Sequence, residues 1–377
     1  MRKNRQTLNR DQFLADLRTF TGFKTIVHQN LPEFEKAFAW IRGFFDPDKT
    51  EFIQLKYSGC TSLIIKPRAS ARPTLLGDGH IEVVPGEDHL FRLREEDGLL
   101  YGRGVADMKT QCLMMIYVLR ELIAEGNHNN FWLLFSEDEE VGSTYGVRKV
   151  VDYLSQNDLW PQAVFAPDGG PDFAYVEKEK GIMSFTAVVE GVASHASRPF
   201  LGQNAIEKMI DFYHALQQRF PNPRNEAEWV ISLSMTRISA GEAFNKIPDR
   251  CTAGFDVRFT ERDDAADIVA QIEAIGRPFG ATITVREADA ATYYPKESPI
   301  ARRYIEILGR VSGKEPVIMH SNGASNGRFY VAQDENIHVL MSNPTVVGSH
   351  ADSECLVAAS LEPYYHLVRE TALMLPL

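Results

Sequence analysis

The sequence predicts an α/β protein in which a mixed, mostly parallel sheet flanked by helices is interrupted by a smaller β-α-β-β-α-β insertion. Three observations lead there. Short apolar runs at 61–66, 74–78 and 131–136 read as strands, and a long helical pattern at 108–125 separates the last two, as crossover connections require. The pattern changes character near Gly181. And 377 residues are too many for one ordinary domain.

Two amphipathic helices open the chain. Residues 10–20 place Phe13, Leu17 and Phe20 on one face, and residues 32–45 do the same with Phe34, Phe38, Ile41 and Phe45. The strands and helix named above follow. From Gly181 the order is strand 182–190, helix 203–219, strand 229–238, strand 250–259, helix 263–276 and strand 281–287, which is the ferredoxin-like sequence of elements. This predicts a first domain made of 1–180 and 289–377 with a second, 181–288, inserted into it. A helix at 299–312, a strand near 316–319 and a helix at 360–373 are expected to complete the first domain's sheet.

Composition is that of an ordinary globular chain, 44% hydrophobic and 24% charged. A net charge of −11 argues against nucleic acid or an anionic membrane as the main partner, because both select basic surface. A local arginine could still bind an acidic substrate. The four cysteines include no CxxC pair and make no disulfide framework, which fits a reducing cytoplasm. The basic N-terminus is followed by no apolar core, so no signal peptide is expected, and no apolar run approaches membrane-spanning length.

Four segments concentrate carboxylates and imidazoles, mostly just past apparent strands. They are GDGHIEVVPG with His80 and Glu82, YGRGVADMKT with Asp107, LLFSEDEEVGS with Glu139 and Glu140, and VVGSHADSE with His350 and Glu354. Taken singly, each has a plainer meaning: a structural histidine, a solvated acidic loop, or an N-cap in the case of Asp107. Together they form the inventory of a two-metal hydrolase, since zinc takes imidazole nitrogen and carboxylate oxygen and paired ions need a shared carboxylate. Adjacent Glu139 and Glu140 at a strand end allow one to bind metal while its neighbour serves as general base.

At these residues the chain resembles the M20 family of metallopeptidases, which includes acetylornithine deacetylase, succinyl-diaminopimelate desuccinylase, aminoacylase and carboxypeptidase G. GHIEVVP stands for the family's GHxDVVP, GRGVADMK for GRGxxDMK, SEDEEVGS for the paired-Glu motif, and SHADSE lies near the end. The resemblance implies a catalytic domain with an inserted lid. It implies that His80 and Asp168, in FAPDGG, bind one metal, that Glu140 and His350 bind a second, and that Asp107 bridges both; Asp172 lies close enough to compete with Asp168. Glu139 would be the general base and His195, in GVASHASRP, an oxyanion stabiliser that in dimeric relatives reaches the partner's site. Asn245 and Arg258 match positions that hold substrate oxygen, although Arg258 reads equally well as a surface charge. Gly323 and Ser325 fall in a segment resembling the family's glycine-rich substrate loop.

The implied activity is cleavage of the amide bond of an N-acyl amino acid by metal-activated water. A dipeptidase or glutamate-type carboxypeptidase is the alternative within the family, and a catalytically silent binding protein the alternative outside it. The implied cofactors are two divalent ions, zinc first, with cobalt or manganese also compatible with mixed oxygen and nitrogen ligands. A homodimer through the lid is expected. The chain departs from the pattern at Glu82, where Asp usually orients the metal-binding imidazole, at Thr110 and Gln111, which replace a glycine pair, and at Asn326, where Asp is frequent.

Overall fold

The computed structural model describes residues 7–375, apart from His28 and Glu226. They form two compact units. One comprises the chain up to Glu177 with Tyr294–His320 and Ser325 onward; the other comprises Lys178–Tyr293 with Ser321–Ala324. The second unit thus starts three residues before the boundary read from the sequence, ends five after it, and takes in part of the glycine-rich loop.

The first unit is built on a six-stranded sheet. Its order is Thr50–Tyr57, Cys60–Pro67, Phe131–Ser136, Leu75–His80, Ala163–Phe165, His338–Leu340. The first two neighbour contacts are antiparallel and the remaining three parallel. Parallel strands sit between helical layers and are buried on both faces. Phe131–Ser136 and Leu75–His80 are accordingly buried throughout. Helix Lys109–Ala124 lies so close to this sheet that a Cβ on Gly77 would come within 2.8 Å of Met115 Sδ, and one on Gly79 within 2.7 Å of Cys112 Sγ. The two glycines before His80 are therefore a packing requirement. Local signals set the helix ends: Ser298 caps Pro299–Ser312 by accepting from the Ala301 N–H, Pro299 occupies the first helical turn, and Gly313 closes the helix at φ 72°.

Two features differ from the sequence reading. The strand expected near 316–319 forms at Ile318–Ser321 but lies outside the six-stranded sheet, which His338–Leu340 completes instead. A separate antiparallel sheet, Val346–Val347, Cys355–Val357, Leu99–Tyr101, Arg94–Glu96, joins a late segment of the chain to an early one.

The second unit has strands Gly181–Glu190, Ser232–Ala240, Arg250–Phe259 and Ala281–Asp289 with helices Ala205–Arg219 and Ala265–Gly276. Its sheet order places the first and third strands at the centre, all neighbours antiparallel, which is the ferredoxin-like arrangement. Burial alternates along Gly181–Glu190 and Arg250–Phe259, so one face of each strand meets the helices. Phe185 and Phe255 stack at 4.6 Å in that core, against Phe212.

Candidate metal centre

Three adjacent parallel strands end at one edge of the six-stranded sheet, and each delivers acid or imidazole groups there. The central one, Leu75–His80, closes on His80. On one side Phe131–Ser136 runs on to Glu139 and Glu140, and on the other Ala163–Phe165 runs on to Asp168. The register pairs His80 with Ser136 and Gly77 with Phe165. Carboxyl ends of parallel strands are where α/β proteins gather ligands. The separate four-stranded sheet supplies the rest: Asp107 follows strand Leu99–Tyr101, and His350 lies in the turn between Val346–Val347 and Cys355–Val357.

The groups interlock around Asp107. His80 Nδ1 is 3.2 Å from the Glu82 carbonyl oxygen, which turns Nε2 toward Asp107 Oδ1 at 3.0 Å. The other Asp107 oxygen, Oδ2, is 3.2 Å from His350 Nε2, and that nitrogen is 3.0 Å from Glu140 Oε1. One carboxylate thus presents one oxygen to each of two imidazoles. Ligand atoms of His80, Asp107 and Glu140 lie within 4.8 Å of one another, as do those of His80, Glu139 and Asp168. Asp172, the sequence competitor of Asp168, is turned elsewhere and pairs with Lys314 at 2.5 Å and Thr345 at 2.8 Å.

Protonation reflects this crowding. Burial opposes a charge on His80, but the carboxylates of Glu82, Asp107 and Glu139 outweigh it and hold the imidazole well above its usual range. Hydrogen bonds to Asp107 and Glu140 push His350 up to about 10. Burial works against the Asp107 carboxylate, yet His350 and His80 keep it well below the ordinary range. Burial, then Asp168 and Glu140, raise Glu139 well above its own. The cluster therefore demands positive charge among its carboxylates. Divalent cations meet that demand, and the oxygen and imidazole donors suit them chemically. The residues fit a metal centre.

Groups around the centre hold its loops. Glu82, fully buried, accepts the Glu139 N–H and, at 3.2 Å, the Glu140 N–H on Oε1, which lies 3.6 Å from His80 Nδ1. The longer side chain in place of Asp reaches past the imidazole to fix the backbone of both glutamates. Gln111, in place of a glycine, donates to the Ala106 carbonyl at 2.6 Å, one residue before Asp107. Asn326 accepts from Ser143 Oγ at 2.5 Å, tying the glycine-rich loop to the one after Glu140. Asp138 Oδ2 accepts the N–H groups of Tyr145 and Gly146 at 2.8 and 2.9 Å. His350 itself sits at φ 69°, a left-handed conformation that non-glycine residues adopt at a cost.

Arg103 is the residue that sequence reasoning missed. It pairs with Glu354 at 2.6 Å, and both side chains are buried. Glu354 Oε1 accepts from the N–H groups of Gly104 and Ala106 at 2.9 Å each and of Asp107 at 3.3 Å. Arg103 also donates to the carbonyls of Ala351 at 3.3 Å and His350 at 3.4 Å. This clasp sets the backbone of both Asp107 and His350. Its signal was a pair of opposite charges inside two of the motif segments.

The substrate candidates are placed differently. In the second unit, His195 is exposed and its strand pairs with Lys246–Ile247. His195 Nδ1 accepts from the Ser197 N–H at 3.2 Å and lies 2.7 Å from Ser197 Oγ, which leaves the proton of the neutral ring on Nε2. Asn245, also exposed, accepts the Ala196 N–H on its carbonyl at 2.9 Å, so it neighbours His195. Arg258 is forked onto Asp256 of its own strand at 3.0 and 3.2 Å. Gly323 is exposed and falls in the second unit, whereas Ser325 is buried in the first with Oγ accepting the Gly327 N–H at 3.1 Å.

Comparison with known proteins is consistent with this centre. The family model for peptidase family M20/M25/M40 matches residues 76–374. A succinyl-diaminopimelate desuccinylase of Acidiphilium cryptum (strain JF-5) is 28% identical over 288 residues, covering 73% of this chain and 76% of that one. Among solved structures, an M20 family metallo-carboxypeptidase from Sulfolobus solfataricus superposes with a TM-score of 0.80 at 17% identity, covering 96% of this chain and 98% of the other. A dinuclear metal binding peptidase from the M20 family of Bacillus subtilis gives 0.65 at 15% identity, covering 97% and 98%.

Proposed function

This chain belongs to peptidase family M20/M25/M40 and is a metal-dependent amidohydrolase, and we propose that it removes the acyl group of an N-acyl amino acid. The observation that carries the proposal is Asp107, with one oxygen toward His80 and the other toward His350. That placement suits a carboxylate shared by two ions. His80 and Asp168 would hold one and Glu140 and His350 the other. Bound there, two divalent ions, zinc in the first instance, would polarise the amide carbonyl and acidify water.

The chain's own residues do the rest. Glu139 takes the proton of the attacking water and returns it to the leaving amine. We read the first unit as the catalytic domain and 181–288 as a lid. In this reading His195 would offer an Nε2–H to the developing oxyanion, and Asn245 and Arg258 would hold substrate oxygens, Arg258 exchanging Asp256 for a substrate carboxylate. Gly323 and Ser325 shape the loop that meets the substrate. The desuccinylase relative favours the deacylase over the dipeptidase or carboxypeptidase reading. Four free cysteines suit a reducing cytoplasm, and no helix of the described residues is long and apolar enough to cross a membrane.

Three experiments test this. A panel of N-acetyl, N-succinyl and N-formyl amino acids beside dipeptides should show hydrolysis of the acyl compounds. Glu139→Ala should cut turnover by roughly 10²–10⁴-fold while metal analysis still finds about two ions per chain. Loss of an ion with that change would make Glu139 a ligand. A lid that pairs with a second copy would let His195 serve the partner's site. Random exchange between inactive Glu139→Ala and His195→Ala chains should then restore up to about a quarter of wild-type activity, because half the chains sit in heterodimers and half the sites there are whole. Verified heterodimers that stay inactive would confine His195 to its own subunit.

A further inference from the structure

The first unit contains a groove that the chemistry above does not use. A cavity of about 360 Å³ has an apolar wall formed by Val27, Leu31, Phe34, Val141 and Tyr145. A second, of about 230 Å³, adjoins it and carries Lys56. Leu31, Phe34, Gly59 and Glu137 line both, so the two compartments meet at Glu137. Glu137 is 5% exposed. The Thr61 backbone N–H donates to its Oε1, and a carboxylate has about four acceptor positions. Burial pushes the Glu137 carboxyl up, and the charge of the exposed Lys56 works the other way. The larger compartment is within the size range of small-ligand pockets, about 300–1,000 Å³.

An apolar wall, a buried carboxylate and an exposed ammonium follow one another along this groove. A hydrocarbon acid would set its charge against Glu137, and a hydrocarbon amine would add a second positive charge beside Lys56. We propose that the groove binds a free α-amino acid with an apolar side chain, its ammonium on Glu137, its carboxylate toward Lys56, and its side chain between Leu31, Phe34 and Val141. Val141 belongs to the short turn Glu139–Val141, so occupancy bears directly on the segment that carries Glu139 and Glu140. Binding does not depend on the proposed reaction. Only its regulatory sense does, because an amino acid is the product of deacylation.

The test is calorimetry on the metal-loaded full chain with L-leucine and L-phenylalanine, beside 4-methylpentanoate and isopentylamine. The amino acids should bind saturably, and each singly charged analogue should bind about tenfold more weakly, the loss of one charge contact. Leu31→Lys, at the exposed mouth, and Glu137→Gln should each weaken binding by about tenfold, whereas Glu139→Ala should retain it. Equal binding of isopentylamine, or no binding up to about 10 mM amino acid, overturns the proposal. Binding that survives Leu31→Lys and disappears in Glu139→Ala overturns it too, because it places the amino acid in the metal centre. Failure of the acyl-substrate panel with the groove's binding intact would reject the proposed reaction alone.

Discussion

The Arg103–Glu354 pair of the first unit is 2% exposed on both sides, whereas the Arg250–Glu190 pair of the second is 63% and 60% exposed. Both are close, at 2.6 and 2.9 Å, yet they do different work. The buried pair is surrounded by backbone N–H and C=O groups and fixes two loops at once. The exposed pair joins neighbouring strands in water, where such contacts contribute little. A similar division separates most residues of the metal centre, His350 excepted because it is exposed, from His195 and Asn245. His80, Asp107, Glu139, Glu140 and Asp168 are positioned by buried neighbours. His195 and Asn245 stand in solvent on short strands and turns. A reacting centre needs pre-organisation, whereas recognition groups gain from freedom to adjust.

This contrast can be broken by mutation. Arg103→Met leaves Glu354 buried without its counter-charge and should cost about 3–5 kcal/mol in chemical denaturation, while Arg250→Met should cost no more than about 1 kcal/mol. Metal analysis should show ions lost from the Arg103 variant only. Equal costs would mean that burial is not what distinguishes the two pairs. Glu82→Gln sharpens the point at closer range. It removes the charge beside His80 while sparing the ligands, and metal titration should show affinity lower by about 10–100-fold, with the fold unchanged by circular dichroism. Unaltered affinity would reduce Glu82 to a backbone anchor.

The smallest effect is expected in the second unit, from a partly exposed group. Burial works against the Glu261 carboxylate, but Lys178 and Trp229 hold it down at about 2. The unfolded chain binds a proton at this residue near 4.5, before the native state does, so its contribution is complete above that value and fades as pH falls toward 2. The stability difference between wild type and Glu261→Gln should be constant above about pH 5 and shrink below it, in urea titrations across that range. A difference that grows on acidification would reverse the assignment.

Much of this organisation was legible in the sequence because the chemistry sits where the pattern changes. His80, Glu139 and Glu140 follow directly on apolar runs, and the structure shows those runs to be adjacent parallel strands. The inserted unit could be read element by element because its strands alternate cleanly between a covered and an open face. Strand Thr50–Tyr57 escaped notice because it is an edge strand, half-buried along its length, and TEFIQLKY has no continuous apolar run. Arg103 escaped because a buried arginine is recognisable only with its partner, and Glu354 is 251 residues away. The Arg258–Asp256 fork, by contrast, was readable: residues two apart in a strand share a face.

The Arg103–Glu354 clasp also imposes an order of events during synthesis. A ribosome delivers residue 107 long before residue 354, and chains emerge N-terminus first. The three backbone N–H groups around Asp107 therefore wait for their acceptor until about 250 further residues have appeared. His350 arrives in the same late segment. On the proposed reading of the centre, a translation product that stops before residue 350 would lack both His350 and the clasp, and with them the second metal site.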